Sequence, residues 1–229
     1  MKTFIIAIKN HKESEQLANR SLVVANDLGY EASIFYSLTD GLNMQGNESL
    51  DFLNSQNVYP ILKPRDPHYT MHKHWTNVAG VRGSFSSHYR LWLKCIELEE
   101  PIIILEHDAV LVEPWQSKEW EDVLHLDWEG SLKRRQFRGS KDKHSPVIEN
   151  SIFRMGFMPQ ETPGTISMNC CYAYAITPHA CRKLIEESKY HGWFAVDRFI
   201  REPLVQIQTV HPKIAQEVPE ALILYTTST

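Results

Sequence analysis

The stretch Pro101 to Val110 reads PIIILEHDAV, four aliphatic residues running straight into Glu106, His107 and Asp108. Two carboxylates this close repel each other and are costly to desolvate unless a cation lies between them. Oxygen donors of this kind suit Mg²⁺ or Mn²⁺, ions that commonly bridge to the phosphates of a bound nucleotide. In open α/β sheets, ligands bind at the carboxyl ends of the strands. A run as apolar as Ile102–Leu105 reads as a central strand, buried on both faces. The spacing therefore puts the acid-x-acid pair at a ligand edge. The competing reading is that charges gather at strand ends because the chain is emerging into water there.

Further candidates lie elsewhere in the chain. His88 falls on one helical face with Val81, Phe85 and Trp92, a position more often filled by a satisfied core histidine than by a ligand-binding one. Asp197 follows Trp193 and Phe194, where partial burial would raise a carboxyl pKa; capping a helix before Arg198 is the alternative. His72 and His74, in a stretch without clean periodicity, could serve a metal-assisted phosphoesterase with Glu106 and Asp108, although no following acid completes the pattern. Lys133, Arg134, Arg135, Arg138, Lys141 and Lys143 form the one concentrated basic region. It reads as a solvated loop, a lid for a diphosphate, or a patch for an anionic acceptor.

Alternating strand and helix signals position these residues. Phe4–Ile8 is a short buried strand, and Leu17, Ser21, Val24, Ala25 and Leu28 recur at helical spacing before Gly29, a C-terminal cap. Glu31–Tyr36 reads as a second strand ending in a turn over Ser37–Gly41. Asn47 caps a short helix through Leu53, and a longer amphipathic helix spans Val81–Glu99. After the acidic strand come a strand at Val123–Asp127 and one extended strand over Thr165–Ile176. Thr177-Pro178 opens a helix to about Ser188, and Leu204–Val210 alternates as a strand should. This β-α-β order predicts an α/β fold with a mostly parallel central sheet and helices on both faces.

The bulk properties agree with one domain. The 229 residues are 42% hydrophobic and 23% charged, near the soluble globular averages. The net charge of −4 gives no whole-protein attraction to nucleic acid or anionic membrane. The opening MKTFIIAIKN is too short an apolar run for a signal peptide or a membrane span. Four cysteines without CxxC spacing, two of them adjacent, argue for reduced thiols in a cytoplasmic protein.

Taken together, Gly83-Ser84-Phe85-Ser86-Ser87-His88-Tyr89-Arg90-Leu91-Trp92 and Ile103-Ile104-Leu105-Glu106-His107-Asp108 resemble the family 25 glycosyltransferases, which include lipopolysaccharide-building and collagen-modifying galactosyltransferases. Ala173–Ala180 matches a later tyrosine-containing strand and helix of that family, and Asp197 its following acid. The middle acid of the family's Glu-Asp-Asp is His107 here, which bears on metal choice. The resemblance implies a single GT-A-like domain, with residues 1–115 forming a nucleotide-sugar half and 116–229 an acceptor half. It also implies transfer of a hexosyl or pentosyl group, with inversion, from a nucleotide diphosphate donor, a uridine one by family habit. A cation, Mn²⁺ or Mg²⁺, would be held by Asp108 and Glu106, with His211 a late histidine of the kind such enzymes recruit. Asp197 would be the base. Ile8, Asn10, Tyr36, Asp40, Ser87, His88, Glu106 and His107 are the expected donor contacts. The acceptor is expected to be a saccharide, with a hydroxylated DNA base as another option; a non-catalytic nucleotide-sugar or glycan-binding module is the alternative on the same fold.

Overall fold

The computed structural model describes residues 1–40, 47–60, 79–116, 119–127, 151–154, 168 and 170–218. The basic region 133–143, His72 and His74 lie outside them. In chain order the elements are β1 (Lys2–Lys9), α1 (Lys12–Asp27), β2 (Glu31–Asp40), α2 (Glu48–Ser55), α3 (Ala79–Leu98), β3 (Ile102–Glu106), β4 (Ala109–Leu111) and β5 (Val123–His125). They continue with β6 (Ser151–Arg154), β7 (Ala173–Ile176), α4 (Pro178–His191), α5 (Val196–Phe199), β8 (Ile207–His211) and β9 (Ala215–Glu217).

The main sheet has seven strands in the order β2-β1-β3-β7-β5-β8-β6, and β4 pairs with β9 in a separate ribbon. Strands β2, β1 and β3 are parallel, which requires a crossover after each of the first two; α1 supplies one, and α2 with α3 the other. β7 enters antiparallel between β3 and β5, and β8 runs parallel to β5. The mostly parallel α/β class expected from the sequence is the one observed.

Both faces of this sheet are covered, and the two-residue strand period sorts the side chains between them. Ile6, Ile102, Ile104, Tyr174 and Ile176 pack with Leu53 of α2, Trp92 of α3 and Leu184 of α4. Ile5, Ala7, Ile103, Leu105, Ala173 and Ala175 pack with Ala18 and Ala25 of α1. Residues 102–105 are therefore apolar throughout, because neither face meets water. The same alternation sends Glu106 to the side of Ile102 and Ile104, where α3 lies.

Aromatic packing then fastens the short α5 to α3. Phe199 meets Phe85 edge-on at 5.0 Å and lies stacked 5.9 Å from Trp92, contacts worth about 0.5–1.5 kcal/mol each beyond area burial. Asp197 lies two residues before this anchor, so its position is set by the core.

Several local expectations are met. Thr177 caps α4 by accepting from the Ala180 N–H at 3.2 Å, with Pro178 in the first turn. Gly29 has φ +83° directly after α1, a conformation that favours glycine. All four cysteines are free thiols.

Four expectations are corrected. β2 does not end at Tyr36 but continues through Asp40, because β1 also continues and Lys9 pairs with Asp40 across a register shift. Asn47 occupies the cap position of α2, but its side chain makes no capping bond. Of the strand expected over Thr165–Ile176, the described residues form only Ala173–Ile176: Cys170 adopts φ 69° and residues 171–172 turn, while residues 165–167 and 169 lie outside the described residues. The ladder with β3 ends at the Leu105–Ala173 pair, beyond which the Glu106 N–H still reaches the Tyr172 carbonyl. The last expected strand starts at Ile207 rather than Leu204, since residues 202–204 form a turn.

Candidate active site

Two adjoining cavities open at the carboxyl end of β3. One, of about 330 Å³, is lined by Glu106, Asp108 and Asp197 together with Ser84, Cys171 and Tyr172. The other, of about 280 Å³, is lined by Ile6, Ile8, Ser37, Ser87, His88 and His107. Gly80, Ser84 and Glu106 belong to both linings, so the first turns of α3 and the end of β3 form the shared wall. One cavity is rich in carboxylates and the other is largely apolar.

Glu106 is held from several directions. Its backbone N–H donates to the Tyr172 carbonyl at 2.7 Å, extending the β3–β7 pairing past the last strand residue. Its Oε1 lies 3.3 Å from His88 Nε2 and accepts from the Cys171 thiol at 3.8 Å. Burial alone would raise the Glu106 pKa, but the hydrogen bond from His88, joined by the electrostatic influence of the two imidazoles and the Cys171 thiol contact, outweighs it and lowers the value. Glu106 is therefore a carboxylate near neutral pH. The same environment pushes Cys171 well up, through burial first and then the charges of Glu106 and Asp197, so this thiol stays protonated. His107 moves down because burial, joined by His11, outweighs the attraction of Glu106.

Neighbouring residues of the acid-x-acid segment face different spaces. Asp108 lines the carboxylate cavity and His107 the apolar one, with Glu106 common to both. The imidazole thus lies away from Asp108's cavity and alters the apolar pocket. Asp197 is the second residue of α5, whose cap position is Ala195, so it does not serve as the helix cap.

The other expected residues are distributed more widely. Ile8 and Ser87 line the apolar cavity, though the Ser87 hydroxyl donates to the Gly83 carbonyl at 2.8 Å. Tyr36 is 45% exposed and belongs to neither lining; its carbonyl accepts from Arg90 at 2.9 Å. Asn10, with φ 58°, follows β1 and offers its N–H to Glu15 at 3.2 Å. Asp40 closes β2. His211 ends β8, paired with Ser151, and lies outside both linings.

Sequence reasoning missed Ser37, Ser84, Cys171 and Tyr172. Ser84 was legible within the glycine-led segment. Cys171 and Tyr172 were hidden because the segment reads as strand, and only the turn after Cys170 brings them to the cavity.

The donor set fits a divalent cation. Three carboxylates on one cavity wall repel unless positive charge separates them, and hard oxygen ligands match Mg²⁺ or Mn²⁺. A second grouping, His88, Glu106 and Cys171, keeps its ligand atoms within 4.8 Å of one another. Its mixed nitrogen, oxygen and sulfur set is of zinc type, and the hydrogen bonds among the three already account for the clustering.

An acid-lined cavity beside an apolar pocket, both at the carboxyl edge of a mostly parallel sheet, stands where α/β folds bind their ligands. The family model described as glycosyltransferase family 25 (LPS biosynthesis protein) matches residues 1–200. The chain belongs to this family, which confirms the resemblance and makes the protein a glycosyltransferase; the family implies a nucleotide-sugar donor, a saccharide acceptor and a link to lipopolysaccharide biosynthesis. Among solved structures, it is similar to the galactosyltransferase LgtC in complex with donor and acceptor sugar analogs, at 9% identity and a TM-score of 0.41, covering 91% of this chain and 73% of that one. It is also similar to mouse xyloside xylosyltransferase 1, apo form, at 12% identity and a TM-score of 0.31, covering 87% and 80%. These likenesses are too loose to carry an argument about the site. A search of curated proteins found no match. Among the described residues no helix is long and apolar enough to cross a membrane.

Proposed function

We propose that this glycosyltransferase moves a sugar from a uridine diphosphate donor to a saccharide hydroxyl with inversion, assisted by Mn²⁺ or Mg²⁺, in the cytoplasm. The observation that carries the reading is the convergence of Glu106, Asp108 and Asp197 on one cavity beside an apolar pocket. The base would occupy the apolar pocket against Ile6, Ile8 and His107, and the pyrophosphate would reach the shared wall at Glu106. Asp108 and Glu106 would hold the cation. When bound, it supplies positive charge against the departing diphosphate.

The chain's own groups account for the rest. The acceptor oxygen attacks the anomeric carbon from the side opposite the leaving phosphate. As that carbon–oxygen bond forms, the bond to the diphosphate breaks and its electron pair stays with the phosphate oxygen. Asp197 takes the proton of the acceptor hydroxyl. Residues 1–115 supply the donor side and the later segment, through Tyr172 and Asp197, the acceptor side. His211 is left out of this assignment.

Thermal unfolding tests the proposal directly. UDP with Mn²⁺ should raise the melting temperature, and Asp108→Ala should abolish the shift. No shift with any common nucleoside diphosphate would overturn it.

A further inference from the structure

Trp92, Tyr174, His88 and Glu106 form one line of hydrogen bonds from the core to the cavity wall. Trp92 Nε1 lies 3.1 Å from the Tyr174 hydroxyl, that hydroxyl 2.8 Å from His88 Nδ1, and His88 Nε2 3.3 Å from Glu106 Oε1. Trp92, Tyr174 and His88 are fully buried. An indole N–H can only donate, so the Tyr174 oxygen accepts from Trp92. The phenol hydrogen then needs an acceptor, and a buried donor left without one is costly. His88 Nδ1 is the acceptor in place. It follows that Nε2 carries the imidazole hydrogen and donates to Glu106. The opposite tautomer would strand the phenol hydrogen and aim a bare nitrogen lone pair at a carboxylate.

The second donor to Glu106, the Cys171 thiol, lands on the same Oε1. Among the described residues, both donors to the Glu106 side chain share Oε1 and none reaches Oε2, and the side chain remains 30% exposed where the two cavities meet.

We propose that Trp92, Tyr174 and His88 are positioning residues that hold Glu106 by one oxygen, with His88 in its Nε2–H tautomer, so that the other oxygen is presented to the donor or its cation. This deepens the reading of Glu106 as a donor-site residue and rests on it. The order of the chain matters: Tyr174 sets the histidine tautomer, and the tautomer sets the carboxylate.

Long-range proton–nitrogen spectra of the imidazoles in the full chain at neutral pH test the tautomer without reference to activity. His88 should show the Nε2–H pattern, and Tyr174→Phe should erase that preference. In transfer assays with UDP-sugar and Mn²⁺, His88→Leu and Tyr174→Phe should lose about 10- to 100-fold, whereas His88→Gln, which keeps a donor toward Glu106, should recover most of the rate. Melting curves identify any variant that fails to fold, and the wild-type spectrum stands independently of them. An Nδ1–H or doubly protonated His88, or a Tyr174→Phe protein with unchanged tautomer and rate, would overturn the proposal. Should no nucleotide sugar bind while the Nε2–H signal and its dependence on Tyr174 are present, the donor assignment fails and the positioning of Glu106 stands.

Discussion

Two sets, each of a tyrosine, a histidine and a carboxylate, flank the carboxylate cavity and end differently. In the first, Tyr174 and His88 lead to Glu106, whose side chain is 30% exposed at the cavity wall. In the second, the Tyr172 hydroxyl donates to Asp127 Oδ2 at 2.5 Å, and the Asp127 N–H donates to His125 Nδ1 at 3.1 Å. His125 Nε2 in turn donates to the Cys170 carbonyl at 2.9 Å. Asp127 is only 2% exposed. Burial, reinforced by the Asp127 carboxylate, drives the Tyr172 pKa upward, so the phenol keeps its proton. A carboxylate closed over by a phenol braces the turn at Cys170–Tyr172. One held by a single oxygen at a cavity wall is available to a ligand. Chemical type does not separate the two sets; access does.

Substitutions in the two regions should therefore part company. The largest effect is expected in the cavity: Asp197→Asn should cut the transfer rate about 10²- to 10⁴-fold, the range for losing a general base, while donor affinity measured by calorimetry is kept. Equal loss of donor binding would show that Asp197 is no base. Asp108→Ala should remove the Mn²⁺-dependent stabilisation by UDP with little change in the melting temperature of the free protein.

On the bracing side the sign reverses. Asp127→Ala leaves the buried Tyr172 hydroxyl and its neighbours without this partner, and should cost about 1–3 kcal/mol in urea unfolding, with the folded fraction still binding UDP. The smallest effect concerns thiol reactivity. The thiolate is the reactive form, and Cys171 is pushed up by burial first and by Glu106 next. Alkylation of Cys171 at pH 8 should thus be slow and should quicken in Glu106→Gln, read by peptide mass spectrometry. A slower rate would mean that access, and not charge, limits the thiol.

How much of this was legible in the chain varies by residue. The all-apolar Ile102–Leu105 run followed by Glu106 and Asp108 announced a central strand and its ligand edge, because a strand covered on both faces has no polar positions. Thr177-Pro178 announced a helix start, since capping is a matter of adjacent residues. His88 read first as a satisfied core histidine and second as a site residue, and it is fully buried, yet bonded to Glu106. Ser37 was hidden because a turn-rich composition masked a strand that continues only while its neighbour does.

By itself the sequence determined the periodic features: which strand is central, which face of it Glu106 joins, and where α3 and α4 run. Those follow from repeat lengths of two and 3.6 residues acting over short distances. Only the tertiary structure decided that Asp197 shares a cavity with Glu106 and Asp108, that His107 faces the other pocket, and that Tyr174 meets His88. Such encounters depend on how the aromatic core packs α5 against α3 and where β7 stops beside β3, and no local spacing encodes them.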